Sequence, residues 1–268
     1  MHLAGKLQVI HEGIDVETLG ALPRGVNQRP HVVPRDPEIQ VLTYVSRGFE
    51  EYRGFPQAMQ TIALLQQRRP NLHVLIVGGG IGGLATALSL HKAEIEVTVF
   101  EAVSKIRPLG VGINMLPHAT RELTELGLQD ALAAEGIQTR ELVYANRHGQ
   151  QIWQEDRGLH AGYNWPQFSI ARGELQMILL RAARERLGAD RIIADRELVR
   201  FEQNGDCVTA YFRSRAAGEN LDPVTGDLLI GADGIHSVVR RHYYPDEGDP
   251  VAVLGVHVRL DLEDEGGD

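Results

Sequence analysis

Between residues 72 and 100 the apolar positions change period twice. His73-Val74-Leu75-Ile76-Val77 is a continuous apolar, largely β-branched run, the pattern of a strand covered on both faces. Gly78-Gly79-Gly80-Ile81-Gly82-Gly83 interrupts it, residues 84–92 read as a helix, and Glu96-Val97-Thr98-Val99-Phe100 reads as the next strand. This is a strand-helix-strand unit with short connections. Further helices are predicted at about residues 117–126 and 173–186, the second supported by Leu175, Ile178, Leu179 and Ala182 at helical spacing. Strand signals fall at residues 141–144, 152–153, 198–201, 208–212 and 228–230. The mixture predicts an α/β fold, a Rossmann-like nucleotide domain with inserted β-strands.

Residues 1–70 have a different texture. A short strand at 7–10, a loop rich in glycine and proline at 20–37 and a strand at 39–45 precede a helix at about 55–68. That helix sets Met59, Ile62, Ala63 and Leu65 on one side, with Pro56 in its first turn and Pro70 as its stop. The last residues, 262–268, are acidic and glycine-rich without periodicity and read as a solvated end.

With 268 residues and 43% hydrophobic content, the chain can bury one large core or two modest ones. A formal charge of -9 argues against nucleic acid and anionic membranes as partners, since both select clustered Lys and Arg. Small-molecule chemistry is the better expectation. The single cysteine, Cys207, cannot pair within the chain and reads as a small buried hydrophobe, and the start at Met1 lacks a charged-then-apolar secretion pattern. Both features predict a reducing cytoplasm. Residues 72–90 are apolar, but their glycines split them into strand, turn and helix, so no membrane span is expected.

The glycine run satisfies G-x-G-x-x-G at Gly78, Gly80 and Gly83, directly after a strand and before a helix. The first glycine permits the tight turn, the second lets a pyrophosphate approach the backbone, and the third lets helix and strand pack closely. The helix N-terminus offers its free N–H groups to phosphate. Glu101 follows the second strand, where a carboxylate accepts hydrogen bonds from ribose hydroxyls and disfavours a 2′-phosphate.

A second signal is Leu229-Ile230-Gly231-Ala232-Asp233-Gly234-Ile235-His236-Ser237-Val238-Val239-Arg240, a strand running into an Asp-Gly turn and a helix-like stretch. Alone, such a turn is ordinary loop chemistry. Together with the glycine motif it resembles the fingerprint of the flavin-dependent monooxygenases of the para-hydroxybenzoate hydroxylase fold, over residues 72–258. Ile106-Arg107-Pro108-Leu109-Gly110-Val111-Gly112-Ile113-Asn114 is similar to the loop that passes beside the flavin in that family, and Gln167-Phe168-Ser169-Ile170-Ala171-Arg172-Gly173-Glu174-Leu175-Gln176 to its helix-opening R-x-x-L stretch.

The resemblance therefore implies FAD as cofactor, with Gly78, Gly80, Gly83, Glu101, Arg107, Val111, Gly112, Arg172 and Asp233 as its contacts. Residue type and position alone leave Arg172 equally a surface arginine at a helix start. Arg107–Asn114, the Arg172 region and Gly231–Arg240 look most similar to phenazine-modifying hydroxylases of the 5-methylphenazine-1-carboxylate 1-monooxygenase type. The implied activity is hydroxylation of a small aromatic substrate with NAD(P)H as co-substrate and O2 as oxidant. The flavin carries that chemistry, so no acid-base residue is singled out.

The family pattern goes on to a substrate-binding sheet and a later Gly-Asp motif, neither of which is found up to Asp268. The expectation is a domain incomplete at its C-terminus that binds FAD weakly and does not hydroxylate.

Residues 1–78 resemble the start of the donor-binding domain of a group 1 glycosyltransferase, on Val9-Ile10-His11-Glu12-Gly13-Ile14-Asp15 and on the stretch from Tyr44 to Phe55, with Arg47 and Arg53 at the positions that face sugar-nucleotide phosphates. The expected division is a glycosyltransferase-like segment at 1–70 and a partial FAD-binding monooxygenase domain at 71–268. A glycosyltransferase fragment and a non-catalytic FAD- or NAD-binding remnant are the alternative functions. The sequence contains no G-x-S-x-G, H-E-x-x-H, paired-cysteine or G-K-[ST] motif, so no metal site is predicted.

Overall fold

A computed structural model describes residues 71–205 and 207–248. The elements predicted within residues 1–70, and the acidic tail, lie outside the described residues.

Four parallel strands form the central sheet: β1 (His73–Val77), β2 (Glu96–Phe100), β8 (Ile192–Ile193) and β12 (Leu228–Gly231), in the order β12-β1-β2-β8. β1 lies between β12, with Val77 opposite Gly231, and β2, with Val77 opposite Phe100. The uninterrupted apolar runs follow from burial on both faces. Val74, Ile76, Val97, Val99, Leu228 and Ile230 join one core, while Leu75, Val77 and Phe100 join a second. Successive side chains of a strand point to opposite faces, so a strand that serves two cores has no position for a polar alternation.

Helices α1 (Ile81–Lys92) and α4 (Arg172–Leu187) fill the first core, and each Leu or Ile fully buried there contributes about 1.5–3 kcal/mol relative to exposure. The second core is closed by an antiparallel sheet of β9 (Glu197–Asn204), β10 (Cys207–Arg213) and β11 (Val224–Gly226), where Phe212 stacks on Phe100 with ring centroids 4.5 Å apart. Ahead of β9, Asp195 adopts φ 58°, and its carboxylate accepts from the Ser214 hydroxyl and the Ala216 N–H, which hold it below the usual carboxylate range.

A third sheet, in the order β3-β7-β4, joins β3 (Gly112–Met115), β7 (Gln167–Ala171) and β4 (Ile137–Thr139). Helices α2 (Pro117–Glu125) and α3 (Gln129–Glu135) follow β3, and Lys92 and Arg186 donate to the Glu125 and Leu126 carbonyls at the end of α2, groups that have no partner within the helix. A hairpin of β5 (Glu141–Ala145) and β6 (Gln151–Asp156) pairs only with itself among the described residues, and leaves Tyr144, Ile152 and Trp153 exposed. Helix α5 (Val238–Tyr243) follows the Asp233 turn.

The strands predicted at 73–77 and 96–100 form with the expected bounds, and the predicted helices and later strands form with small shifts at their ends. Helix α1 begins at Ile81, inside the glycine run, where Gly83 packs against the turn at Gly78. β3, β4, β7, β8, β11 and α3 are additional. β3 and β7 occupy stretches read only as a loop and a helix opening. Both are short, and they become strands by pairing across a gap of about 55 residues, Asn114 opposite Ser169. Cys207 is half-buried at the start of β10 with its Sγ on the Asn204 carbonyl, not the buried hydrophobe expected.

Candidate functional site

The chain leaves β1 toward β2 and β8 on one side and returns as β12 on the other, so β1 is where the strand order reverses. Open parallel sheets bind ligands at the carboxyl ends of their strands at this point. Here the ends are Val77, Phe100 and Gly231.

Gly78 leaves β1 at φ 110°, and its N–H donates to the Phe100 carbonyl at 2.7 Å. A Cβ at this position would sit 2.2 Å from the Ala232 carbonyl oxygen, so both conformation and space require glycine. A Cβ at Gly83 would sit 1.9 Å from the Gly78 carbonyl oxygen, which is how closely α1 starts against the turn. Gly80 and Gly82 differ: a Cβ there would meet nothing within 4 Å. Gly80 is the N-cap of α1, with no side-chain cap and no acid in the first turn. The first helical bond runs from the Leu84 N–H to the Gly80 carbonyl, so the N–H groups before Leu84 open onto this free side. Uncapped donors, positive helix dipole and an open glycine face fit the pyrophosphate of a dinucleotide such as FAD.

Glu101 is half-buried beside this turn. Its Oε2 accepts from the Gly79 N–H at 2.6 Å and its Oε1 from the Val103 N–H at 2.9 Å. The carboxylate therefore locks the glycine turn, and each oxygen keeps a further lone pair for a hydroxyl. Gln176, on α4, donates from Nε2 to the Gly79 carbonyl at 2.9 Å. Sequence reading gave Gln176 no role; the available signal was its position one turn after Arg172 on the same helix face.

Arg172, the first residue of α4, is exposed, and its N–H donates to the Val111 carbonyl at 3.0 Å. The loop at 106–111 crosses this helix start over Gly173, where a Cβ would lie 2.5 Å from the Pro108 carbonyl carbon. Gly110 packs on the Arg172 side chain, while Leu109 and Val111 stand 72% and 67% exposed, an uncovered apolar surface beside the exposed Gly112. Arg107 is exposed on the same loop and makes no hydrogen bond or ion pair among the described residues.

Asp233 sits beside Gly78, through the Ala232 N–H donating to the Val77 carbonyl at 2.7 Å. Its Oδ1 accepts from the Ser237 hydroxyl at 2.6 Å and its Oδ2 from the Val238 N–H at 2.7 Å. The carboxylate is thus engaged by the start of α5, and the turn contributes its backbone shape to the site.

Gly78, Gly80, Gly83, Glu101 and the Asp233 turn are brought together at the sheet edge. Val111, Gly112 and Arg172 form a second group, and Gln176 connects the two through the Gly79 carbonyl. Among the described residues no helix is long and apolar enough to cross a membrane, and no group of three or more His, Cys, Asp or Glu could hold a metal ion.

The FAD binding domain family matches residues 71–263. A phenazine 1,6-dicarboxylic acid hydroxylase, PhzS of Lysobacter antibioticus, is 48% identical over 174 residues, 65% of this chain and 43% of the relative. An FAD-dependent urate hydroxylase of Klebsiella pneumoniae is 30% identical over 183 residues, 63% of this chain and 42% of the relative. The crystal structure of Klebsiella pneumoniae HpxO complexed with FAD and uric acid aligns with a TM-score of 0.53 and 29% identity, covering 63% of this chain and 41% of that one. The chain thus spans less than half the length of the relatives it matches. The family match begins at residue 71, so the glycosyltransferase resemblance of residues 1–70 draws no support from it. The strand order, the turn geometry and a match over most of the sequence lead to one assignment: this chain belongs to the FAD binding domain family.

Proposed function

We propose that this chain supplies the FAD-binding part of a flavin-dependent monooxygenase that hydroxylates a small, phenazine-type aromatic ring with NAD(P)H and O2. The observation that carries the reading is the uncapped start of α1, held open at Gly80 against the sheet edge beside Glu101. When bound, FAD takes electrons from NAD(P)H and with O2 delivers one oxygen atom to an electron-rich ring. The chain's part is to bind, orient and exclude water.

In this reading Gly78 and Gly83 shape the turn, and Gly80 and the N–H groups after it receive the pyrophosphate. Glu101 accepts from the ribose hydroxyls of the adenosine half. Arg172, Val111, Gly112 and Arg107 lie along the other half, where the exposed Leu109 and Val111 offer an apolar bed for the ring system. The Asp233 turn holds the sheet edge in shape. The phenazine-type substrate is supported by the 48% identity to the PhzS relative. Residues 71–268 are taken as one flavin-binding domain distinct from 1–70, and the single, half-buried Cys207 supports a cytoplasmic setting.

The test is titration of the purified chain with FAD, followed by flavin fluorescence, with NAD as competitor. Saturable FAD binding that NAD does not displace is expected. Absence of saturable binding, or a preference for NAD, sinks the proposal. Hydroxylation is read separately, as aromatic-stimulated oxidation of NAD(P)H with a hydroxylated product.

A further inference from the structure

Consecutive glycines leave the backbone of the turn after β1 undetermined by its own side chains. The peptide plane between Gly79 and Gly80 is flanked by two residues without a Cβ, so it can rotate at little steric cost. A planar trans peptide carries its C=O and its N–H on opposite sides. Rotation of this plane therefore redirects the Gly79 carbonyl and the Gly80 N–H together, and a group that fixes one fixes the other.

The preceding plane, Gly78–Gly79, is held within the strand-helix-strand unit. Glu101 Oε2 accepts its N–H at 2.6 Å, and α1 packs over its carbonyl at Gly83. The Gly79–Gly80 plane is held from outside that unit, by Gln176 Nε2 of α4, which donates to the Gly79 carbonyl across 97 residues of sequence. A carbonyl only accepts, so it is the NH2 of the Gln176 amide that faces it. The Gly80 N–H consequently points away from Gln176. It makes no hydrogen bond among the described residues, and a Cβ on Gly80 would meet nothing within 4 Å. A free donor with a fixed direction beside open space is prepared for an acceptor.

We infer that Gln176 is a positioning residue for the cofactor: by gripping the Gly79 carbonyl it aims the Gly80 N–H at the pyrophosphate. This role rests on the flavin reading and adds to it a side chain that lies outside the glycine motif and acts through it. Gln176 stands four residues after Arg172, roughly 6 Å along α4. The same helix start packs at Gly173 against Pro108 of the loop at 106–111. One helix thus seats the loop proposed to lie along the flavin ring and sets the direction of a donor proposed for the phosphates, which keeps the two groups in a fixed spacing. Partnering the buried Gly79 carbonyl would by itself contribute only to stability. Aiming Gly80 changes how the ligand is held.

The test uses the full chain, FAD as the probe, and two variants. Gln176→Met keeps the length of the side chain and loses the donor; Gln176→Asn keeps the amide but falls one methylene short of the Gly79 carbonyl. Flavin fluorescence gives the affinity, and proton–nitrogen NMR of glycine-labelled protein follows the Gly80 amide. Both variants are expected to bind FAD about tenfold more weakly, the size of one hydrogen bond to a charged group. In the wild-type chain FAD is expected to shift the Gly80 amide proton downfield, and in the variants that shift is expected to be lost, while the Gly79 amide, held by Glu101, keeps its wild-type position. Where Gln176→Met fails to fold, Gln176→Asn carries the same test. Wild-type affinity in a folded variant, or weaker binding with the Gly80 shift intact, overturns the inference. A wild-type chain that does not bind FAD refutes the flavin reading instead; the positioning is then scored on the free chain, where an unmoved Gly80 resonance in either variant overturns it.

Discussion

Gly80→Ala and Gly83→Ala separate the glycine proposed to receive a ligand from the glycine that closes the fold. At Gly80, φ is -75° and ψ -178°, a conformation open to alanine, and a Cβ meets nothing within 4 Å. Alanine at a compatible position stabilises by about 0.4–1 kcal/mol through the unfolded chain, while alanine as N-cap costs about as much, so the net change is close to zero. The added methyl nevertheless stands where, on the proposed function, the backbone approaches a pyrophosphate. Each hydrogen bond to a charged group that is lost costs about 1.5–3 kcal/mol, so FAD affinity should fall roughly 10- to 150-fold.

At Gly83 the Cβ would stand 1.9 Å from the Gly78 carbonyl oxygen, and α1 must move away from its turn by about an ångström to admit it. Overpacking of this kind costs about 1–3 kcal/mol, a fall in melting temperature of roughly 2–12 °C at this chain size. Thermal melts without ligand, paired with FAD titration, read both effects. A Gly80→Ala chain that keeps its melt and binds FAD like the wild type would refute the assignment of this open face to the pyrophosphate.

Asp233→Asn should lower stability by about 1–2 kcal/mol, because an amide cannot accept from both the Ser237 hydroxyl and the Val238 N–H without presenting an NH2 to one of them; urea unfolding measures it, and an unchanged midpoint would contradict the capping role. Gln176→Leu should cost about 0.5–1.5 kcal/mol and loosen the link between α4 and the Gly79 carbonyl, which hydrogen exchange at Gly79 and Gly80 would register as faster exchange. Tyr243 is buried, its hydroxyl donates to Gln203 Oε1 at 3.2 Å, and burial pushes its pKa up to about 12. The unfolded chain ionises this phenol near pH 10 and the folded chain about two units later, so the unfolded state binds fewer protons in between and stability falls as pH rises. The loss approaches about 2–3 kcal/mol by pH 12. Tyr243→Phe should flatten that alkaline slope in pH-dependent melts; an identical slope in the variant would rule Tyr243 out as its source.

The central strands and the glycine turn were legible in the sequence because their constraints are local. Val74, Leu75, Ile76 and Val77 are apolar in succession since both faces of β1 are covered, and glycine at 78 and 83 answers to backbone geometry a few residues away. Glu101 could be placed by counting from that turn. Tertiary structure decided what depends on distant partners. Gln167 to Ala171 form a strand because Gly112 to Met115 and Ile137 to Thr139 lie beside them, and the alternation that puts Phe168 in the core and Ser169 on the opposite face has no meaning until those pairings exist. Both the engagement of Asp233 by α5 and the bond from Gln176 to Gly79 depend on how helices meet a sheet edge. Neither contact joins residues adjacent in the sequence. A side chain's type and its neighbours in sequence carry the period of burial, whereas its hydrogen-bond partner is set by packing, which brings together groups that the chain itself leaves far apart.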